Sequence, residues 1–479
     1  MLSDIQKHRL LYIIGGSFIL LLAAFLYFEQ FWILGLPIAL AFVGVALFKL
    51  DWLFLIITFL TPLSINVEDV GGGFGLHLPT EPLIFGLMLV FLVRVFYDNH
   101  FDHKVLRHPL TLLIGINLAW ILITTFTSED PLVSLKFFLS RLWFVVGFFF
   151  IATQVFRDDR NIHRFIWMFT IPLMIVAIYT IVMHSTHGFD QKSAHWVMQP
   201  FFKDHTGYGA ILAMVYPIVW AYLWSKNLTL NSKIVISVVM AILTLAIILS
   251  YTRAAWVSLV GVLVLFVLVQ IKVRWWIVAM ALLMGIGAFF SFEDQILMKL
   301  EQNRQDSSDD LAEHVNSISN VATDASNLER INRWSAALRM FEERPVFGYG
   351  PGTYKFHYAP FQHSSQLSTI STNFGDGGNA HSEYFGPLAE MGVFGMLTFL
   401  MIIAMALYKF ITVYYKTNSR EMRIVLMGAF LGFVTYIVHG TMNNYLDLDK
   451  ANVPFWGFLA ILVAVELYHK DKSEEATAY

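Results

Sequence analysis

From Ile234 to Ile271 the chain reads IVISVVMAILTLAIILSYTRAAWVSLVGVLVLFVLVQI. Two apolar runs, Ile234–Ser250 and Ala254–Ile271, are separated only by a short break that carries one charge, Arg253. A bilayer core of about 30 Å is crossed by about 20 apolar residues of helix, so this stretch spells two transmembrane helices joined by a tight turn. Working outward, apolar runs bounded by charged, Gly or Pro clusters give fourteen candidate spans. Those before the pair are Leu10–Phe28, Phe31–Phe48, Trp52–Ile65, Pro82–Val95, Pro109–Phe126, Phe137–Val155, Phe165–Met183 and Gly207–Trp224; those after it are Trp275–Phe292, Tyr384–Tyr414, Ile424–His439 and Val453–Tyr468. The third and fourth are short and Pro-flanked, which allows a tilted or re-entrant segment. The expected fold is an all-α polytopic membrane protein with about 12–14 transmembrane helices and one long external loop holding short helices.

The composition agrees. Of 479 residues, 57% are apolar and 14% charged, where soluble domains carry about 25% charged residues. A net charge of −3 offers no basic face for nucleic acid. The sequence has no cysteine, which excludes disulfides, thiolate nucleophiles, iron–sulfur clusters and Cys-ligated zinc. The first apolar run is full length, follows Lys7 and Arg9, and reads as a retained span rather than a cleaved signal.

Lys and Arg are retained on the cytoplasmic side of spans. With the N-terminus inside, nineteen of the 32 fall in cytoplasmic segments, six at the outer ends, and seven in one long outer loop where the rule does not count. Both termini are then cytoplasmic. The expected organisation is residues 1–290 as eleven transmembrane helices, 291–383 as an external loop domain, and 384–479 as three more helices with a tail. The loop is polar and acidic over Glu301–Ser326; Leu328 to Glu343 then forms an amphipathic pattern stopped by Pro345. No internal repeat supports a transporter built from inverted halves.

Charges at membrane depth mark candidate sites. Arg141 and Arg253 stand at the outer ends of apolar helices and either snorkel to the interface or face a wet cavity. Lys203, His205 and Tyr208, at the start of the Gly207–Trp224 span, are hydrogen-bond donors suited to an anionic or sugar ligand, or interface anchors. His184 and His187 lack the carboxylates that would complete a metal site. In the loop, Arg330, Arg333 and Arg339 lead to Gly348, Gly350 and Gly352; guanidinium forks match phosphate oxygens, and a Gly-rich turn can nest an anion. His381 precedes a long span, where a neutral imidazole can take a proton from a hydroxyl, with Glu383 placed to orient it. Arg253, Arg330 and His381 come from distant parts of the chain yet fall on the same outer side. Two cations suit a diphosphate and one base suits a nucleophile. A non-catalytic flippase of lipid-linked glycans is the competing class; the near absence of mid-span charges favours an enzyme.

At these residues the chain resembles the O-antigen ligase and O-antigen polymerase superfamily. The matching pieces are TRAAW with Arg253, R-x-x-x-W with P-x-x-G-x-G (Arg330, Trp334, Pro345, Gly348, Gly350), and HSEY with E-M-G-x-x-G (His381, Glu390, Gly392, Gly395); HTGYGAILAMVYP from His205 is similar to the family's approach to an earlier span. The resemblance implies a GT-C-like membrane glycosyltransferase of the bacterial inner membrane. Its donor would be a glycan on a polyprenyl, most often undecaprenyl, diphosphate, and its acceptor a hydroxyl at the periplasmic face. By the same resemblance Arg253 and Arg330 hold the diphosphate and His381 activates the acceptor, with inversion, no metal and no cofactor. The acceptor, whether lipid A-core, a glycan repeat or a protein, is left open.

Overall fold

In the computed structural model the described residues are 49–67, 76–98, 101–273, 325–363 and 378–470, with Gly16, Met280 and Met284 as isolated positions. The first two candidate spans, that at Trp275–Phe292 and most of the acidic half of the loop lie outside them. The chain divides into two units, Met1–Leu55 and Ile56–Tyr479. The larger is an all-α membrane protein, and among the described residues eight helices are long and apolar enough to cross a bilayer. It is a multi-pass membrane protein.

Its principal helices are α1 (Thr80–Asp98), α2 (Pro109–Phe126), α3 (Pro131–Val155), α4 (Asp159–Ser185), α5 (His205–Tyr222), α6 (Leu230–Leu249), α7 (Arg253–Gln270), α8 (Ala325–Glu343), α9 (Phe385–Lys416), α10 (Arg420–His439) and α11 (Asp449–His469). Local chemistry sets many of the starts. Pro109 and Pro131 occupy first turns, where a missing N–H costs nothing. Asp158, Asp204, Thr229 and Ser419 each accept a first-turn N–H as N-caps.

The expected third span is shorter than its hydropathy implied. The helix ends at Leu60, a 3₁₀ turn with Pro62 follows at Thr61–Leu63, and strand β1 (Ile65–Val67) pairs antiparallel with β2 (Leu76–Leu78). Pro62 accounts for the difference, since it cannot donate within a helix and its ring hinders the preceding turn.

The core lies along α5, α10 and α11. Helix α11 is apolar on nearly every side and buried over most of its length, as a helix with no polar stripe must be. Helices α5 and α10 pack closely: a Cβ on Gly432 would stand 2.4 Å from the Met214 carbonyl oxygen. At one end of the bundle Glu466 meets His108 at 3.0 Å and Lys409 at 2.7 Å. The opposite end carries the folded part of the loop.

There α8 covers the predicted amphipathic stretch and ends just before Pro345. Ala337 and Met340 of α8 form a small core with Tyr349, Tyr354, Tyr358, Ala380 and Ala389. Helix α9 breaks its dihedrals at Gly392 (φ 66°), and the chain after α8 runs into that break, Val393 N–H donating to Pro345 O at 2.9 Å. The loop is thereby seated on the first turns of α9.

Candidate active site

Four elements end at the loop-bearing end of the bundle and bring distant residues together. Arg253 opens α7 directly after the α6 turn, and Thr252 Oγ1 donates to the His205 carbonyl at 2.9 Å, tying that turn to the start of α5. Arg330, on α8, donates Nε–H to Met442 O at 3.2 Å in the segment between α10 and α11. The two guanidinium groups lie close enough to repel each other. Burial holds Arg330 below its usual pKa.

His381 completes the group. Burial comes first, and Arg330 and Arg333 add repulsion, so its pKa is pushed down to about 4. The imidazole is therefore neutral at ordinary pH, the form that accepts a proton. Its carbonyl accepts from Trp334 Nε1 at 3.4 Å and its amide N–H donates to Asn379 Oδ1 at 3.1 Å. Arg330 thus acts on both Arg253 and His381.

Several neighbours have other employment. Glu383 does not orient His381: its carboxylate accepts from Tyr436 Oη–H and from Leu446 N–H at 2.9 Å, and its own N–H donates to Gly440 O at 2.8 Å. Burial, then the Asp447 carboxylate, push the Glu383 pKa up. Arg333 is spent inside the protein, with Nε 2.7 Å from Glu329 Oε1, its guanidinium 4.4 Å from the Tyr358 ring centre, and a bond to Asn379 O at 3.3 Å. Arg339 donates Nε–H to Phe361 O at 2.6 Å. Tyr208 is 1% exposed and packs on Phe202 with ring centres 5.3 Å apart, inside the bundle. Each of these four is engaged in contacts within the protein. They were drawn to the site by sequence proximity, whereas the helix face and tertiary neighbours decide where each side chain goes.

The Gly-rich turn does hold an anion, but one of the chain's own. Gly352 and Tyr354 donate their N–H groups to the Glu390 carboxylate, the latter at 3.0 Å. Gly350 N–H goes to Glu390 O at 2.8 Å, and Gly348 N–H to Arg344 O at 3.2 Å. Both backbones are at positive φ, 66° for Gly348 and 118° for Gly350. Neither amide is left for a phosphate, so these glycines shape the turn and do not bind substrate.

His205 remains beside the cation pair. Its ring packs at a tilt against His195, ring centres 4.1 Å apart, and feels both Arg330 and Arg253. Lys203 is exposed just before it. Arg141 takes the cavity alternative: with Phe137, Lys136, Tyr354, Glu390 and Asp447 it lines a pocket of about 340 Å³. Asn379, Ala380, Ser382 and Glu383 form one wall of this pocket. The segment bearing His381 thus borders this cavity, while His381 itself feels Arg330. A larger cavity of about 730 Å³ lies at the far end of the helices, lined by Arg160, His163, Tyr222 and Glu421 among others.

Asn443 was missed by sequence reasoning. It is 4% exposed, it lies near enough to His381 to act on its proton affinity, and its Nδ2 lies 3.3 Å from His439 Nε2. The polar run HGTMNN closing an apolar span was the available signal. His184 and His187 turn to backbone carbonyls, Asp190 O and Met183 O. Among the described residues no group of three or more His, Asp or Glu side chains converges as a metal site would require.

The family model described as O-antigen ligase matches residues 238–400, a segment that contains Arg253, Arg330 and His381. No curated protein matches the chain.

Proposed function

From the match of residues 238–400 to the family model described as O-antigen ligase, we propose that the chain belongs to that superfamily and transfers a glycan from undecaprenyl diphosphate to an acceptor hydroxyl at the periplasmic face of the bacterial inner membrane. The observation that carries this reading is the meeting of Arg253 and Arg330 with a neutral His381. The arginines hold the diphosphate oxygens. His381 takes the proton of the acceptor hydroxyl as its oxygen bonds to the anomeric carbon. The bond from that carbon to the diphosphate oxygen breaks with its electron pair, and undecaprenyl diphosphate leaves with its new charge on the two guanidinium groups. A single displacement inverts the anomeric centre.

Arg141 and the polar cavity beside the His381 segment give the sugar a place to lie, and His205 and Lys203 border the diphosphate. No step requires a metal, so transfer persists in the presence of chelator. The sidedness rests on the Lys and Arg distribution; it is supported by the gathering of Glu466, His108 and Lys409 at the end away from the site.

The test is purified protein with an undecaprenyl-diphosphate glycan and three separate acceptors: lipid A-core, a second lipid-linked glycan, and a protein. Product with the first identifies a ligase, with the second a repeat-unit polymerase, and with the third a protein O-oligosaccharyltransferase. No glycan transfer to any acceptor, together with intact donor binding, would reject catalysis and leave a glycan carrier.

A further inference from the structure

The larger cavity, of about 730 Å³, lies where α4, α6 and α10 begin and α5 ends, so four helix ends meet around it at one level of the bundle. Nothing in the proposed transfer uses it. Trp167 and Tyr222 line it with ring centres 5.8 Å apart, and His163 Nδ1 stands 2.7 Å from the Tyr222 hydroxyl oxygen. Trp and Tyr gather where the chains of a bilayer give way to its head groups. Charges of both signs border the cavity: Arg160 and Asp159 from the first turn of α4, and Glu421 from the first turn of α10. Arg160 is exposed, and its pairing with Asp158 at 3.5 Å is a surface contact worth little. Glu421 accepts Ser225 Oγ–H on Oε1 at 2.8 Å, and among the described residues its Oε2 takes no hydrogen bond. Val235 of α6 adds an apolar wall. The apolar lining then continues toward the middle of the bundle, since Ile171 stands one turn beyond Trp167 and Val238 one turn beyond Val235, both exposed.

A simple anion would meet two carboxylates there, and a simple cation an arginine; a zwitterion satisfies both signs. An ammonium suits Glu421, Asp159 and the faces of Trp167 and Tyr222, because carboxylates and aromatic rings both attract a cation. A phosphate suits the guanidinium fork of Arg160. A chain on the same molecule suits the apolar track along α4 and α6. We propose that this cavity binds one phospholipid with a primary ammonium head group, its phosphate at Arg160, its ammonium at Glu421 and one acyl chain along Ile171 and Val238. The head group decides selectivity, because a chain that leaves the bilayer for this track exchanges one apolar setting for another. The lipid touches α4, α5, α6 and α10 together, so it binds the assembled bundle and stabilises it by mass action. Neither glycan transfer nor the sidedness of this end enters into that assignment.

The experiment titrates the full-length protein, stripped of lipid in detergent, with phosphatidylethanolamine, with phosphatidylglycerol and with soluble phosphoethanolamine. The mass of the intact complex gives the stoichiometry, and the rise in melting temperature gives the apparent affinity. Wild type is expected to take one phosphatidylethanolamine, on the order of tenfold more tightly than phosphatidylglycerol, which lacks the ammonium. Glu421→Gln keeps the shape and loses the charge, so it should erase that preference while binding phosphatidylglycerol no worse. Arg160→Gln should weaken both lipids together, on the order of tenfold, since both carry a phosphate. Phosphoethanolamine has no chain to hold it in place and should give no shift at the same concentration. Should Glu421→Gln fail to fold, the wild-type preference and the exposed Arg160 variant still decide. No lipid in the complex, equal affinity of wild type for the two lipids, or affinities that neither substitution changes would overturn the site. A shift with phosphoethanolamine equal to that of the whole lipid would overturn the lipid assignment in favour of a soluble ligand.

Discussion

Arg330 donates its Nε–H to the main-chain oxygen of Met442 at 3.2 Å, across 112 residues of sequence. The bond ties α8 to the segment between α10 and α11, and from that position Arg330 acts electrostatically on both Arg253 and His381.

Charge alone does not suffice at Arg253 and Arg330. Replacing either by Lys retains the cation but not the planar fork that matches two phosphate oxygens. Each variant is expected to lose about 10²–10³ in turnover, the usual effect of removing a partner for transition-state charge. Turnover by the purified Lys variants is the measurement; normal rates would assign both arginines to interface anchoring.

The pH profile follows from the depressed pKa of His381. A base is competent in its neutral form, and a fall in pKa to about 4 extends that form downward, so the acid loss comes as pH drops through about 4. Free histidine, with a pKa of about 6.5, would lose its competence two pH units or more earlier. Transfer by the purified protein should thus be level from neutrality down to about pH 5. A limb at the value of free histidine would place the base in water, and a rate that rises with acid would make His381 a protonated phosphate ligand.

Arg333→Met separates structure from binding. It leaves Glu329 buried without its partner 2.7 Å away, a change that costs about 3–5 kcal/mol in buried pairs. Thermal melting in detergent should show a large loss, while donor affinity per folded molecule stays at the wild-type level. Weakened donor affinity with an unaltered melting temperature would return Arg333 to the binding site.

Gly350→Ala is expected to act in the same way. The new Cβ would fall 1.9 Å from Ser128 Oγ at a φ of 118°, so the turn must open or distort, at a cost of about 2 kcal/mol or more. A melting curve equal to wild type would contradict the close seating of this turn on the α2–α3 connection.

The cysteine-free sequence makes sidedness simple to read. Single cysteines at Glu342 and Asn418, both exposed, should differ in intact cells: an impermeant thiol reagent labels the first and spares the second. Labelling of Asn418→Cys alone would invert the topology and move the site to the cytoplasm.

The spans were legible because hydropathy depends on residues close in sequence. Pro109–Phe126 begins and ends where the apolar run does, and the break at Ser250 to Arg253 is the α6–α7 turn. Trp52–Ile65 was overextended because strand residues such as Ile65 are as apolar as helix residues and only Pro62 marks the change. Arg253, Arg330 and His381 stand out in the sequence since each is a polar group beside apolar runs. Their support could not. That Glu383 turns to Tyr436 and to Leu446 depends on how α10 and the segment before α11 meet, which no local pattern encodes. The same holds for the glycines, whose ligand is supplied by a helix about 40 residues later.

That ligand, Glu390, gives the loop a latch whose bolt is part of the door frame. A binding turn filled by substrate is ordered at each arrival and loosened at each departure, at an entropic cost every cycle. Here the turn is filled from within, so Gly348 to Tyr354 remains closed on α9 whether or not a lipid is bound. The scaffold around His381 is consequently held together by the chain's own groups, and under the proposed function its reactants would come and go without dismantling the loop-bearing end of the bundle.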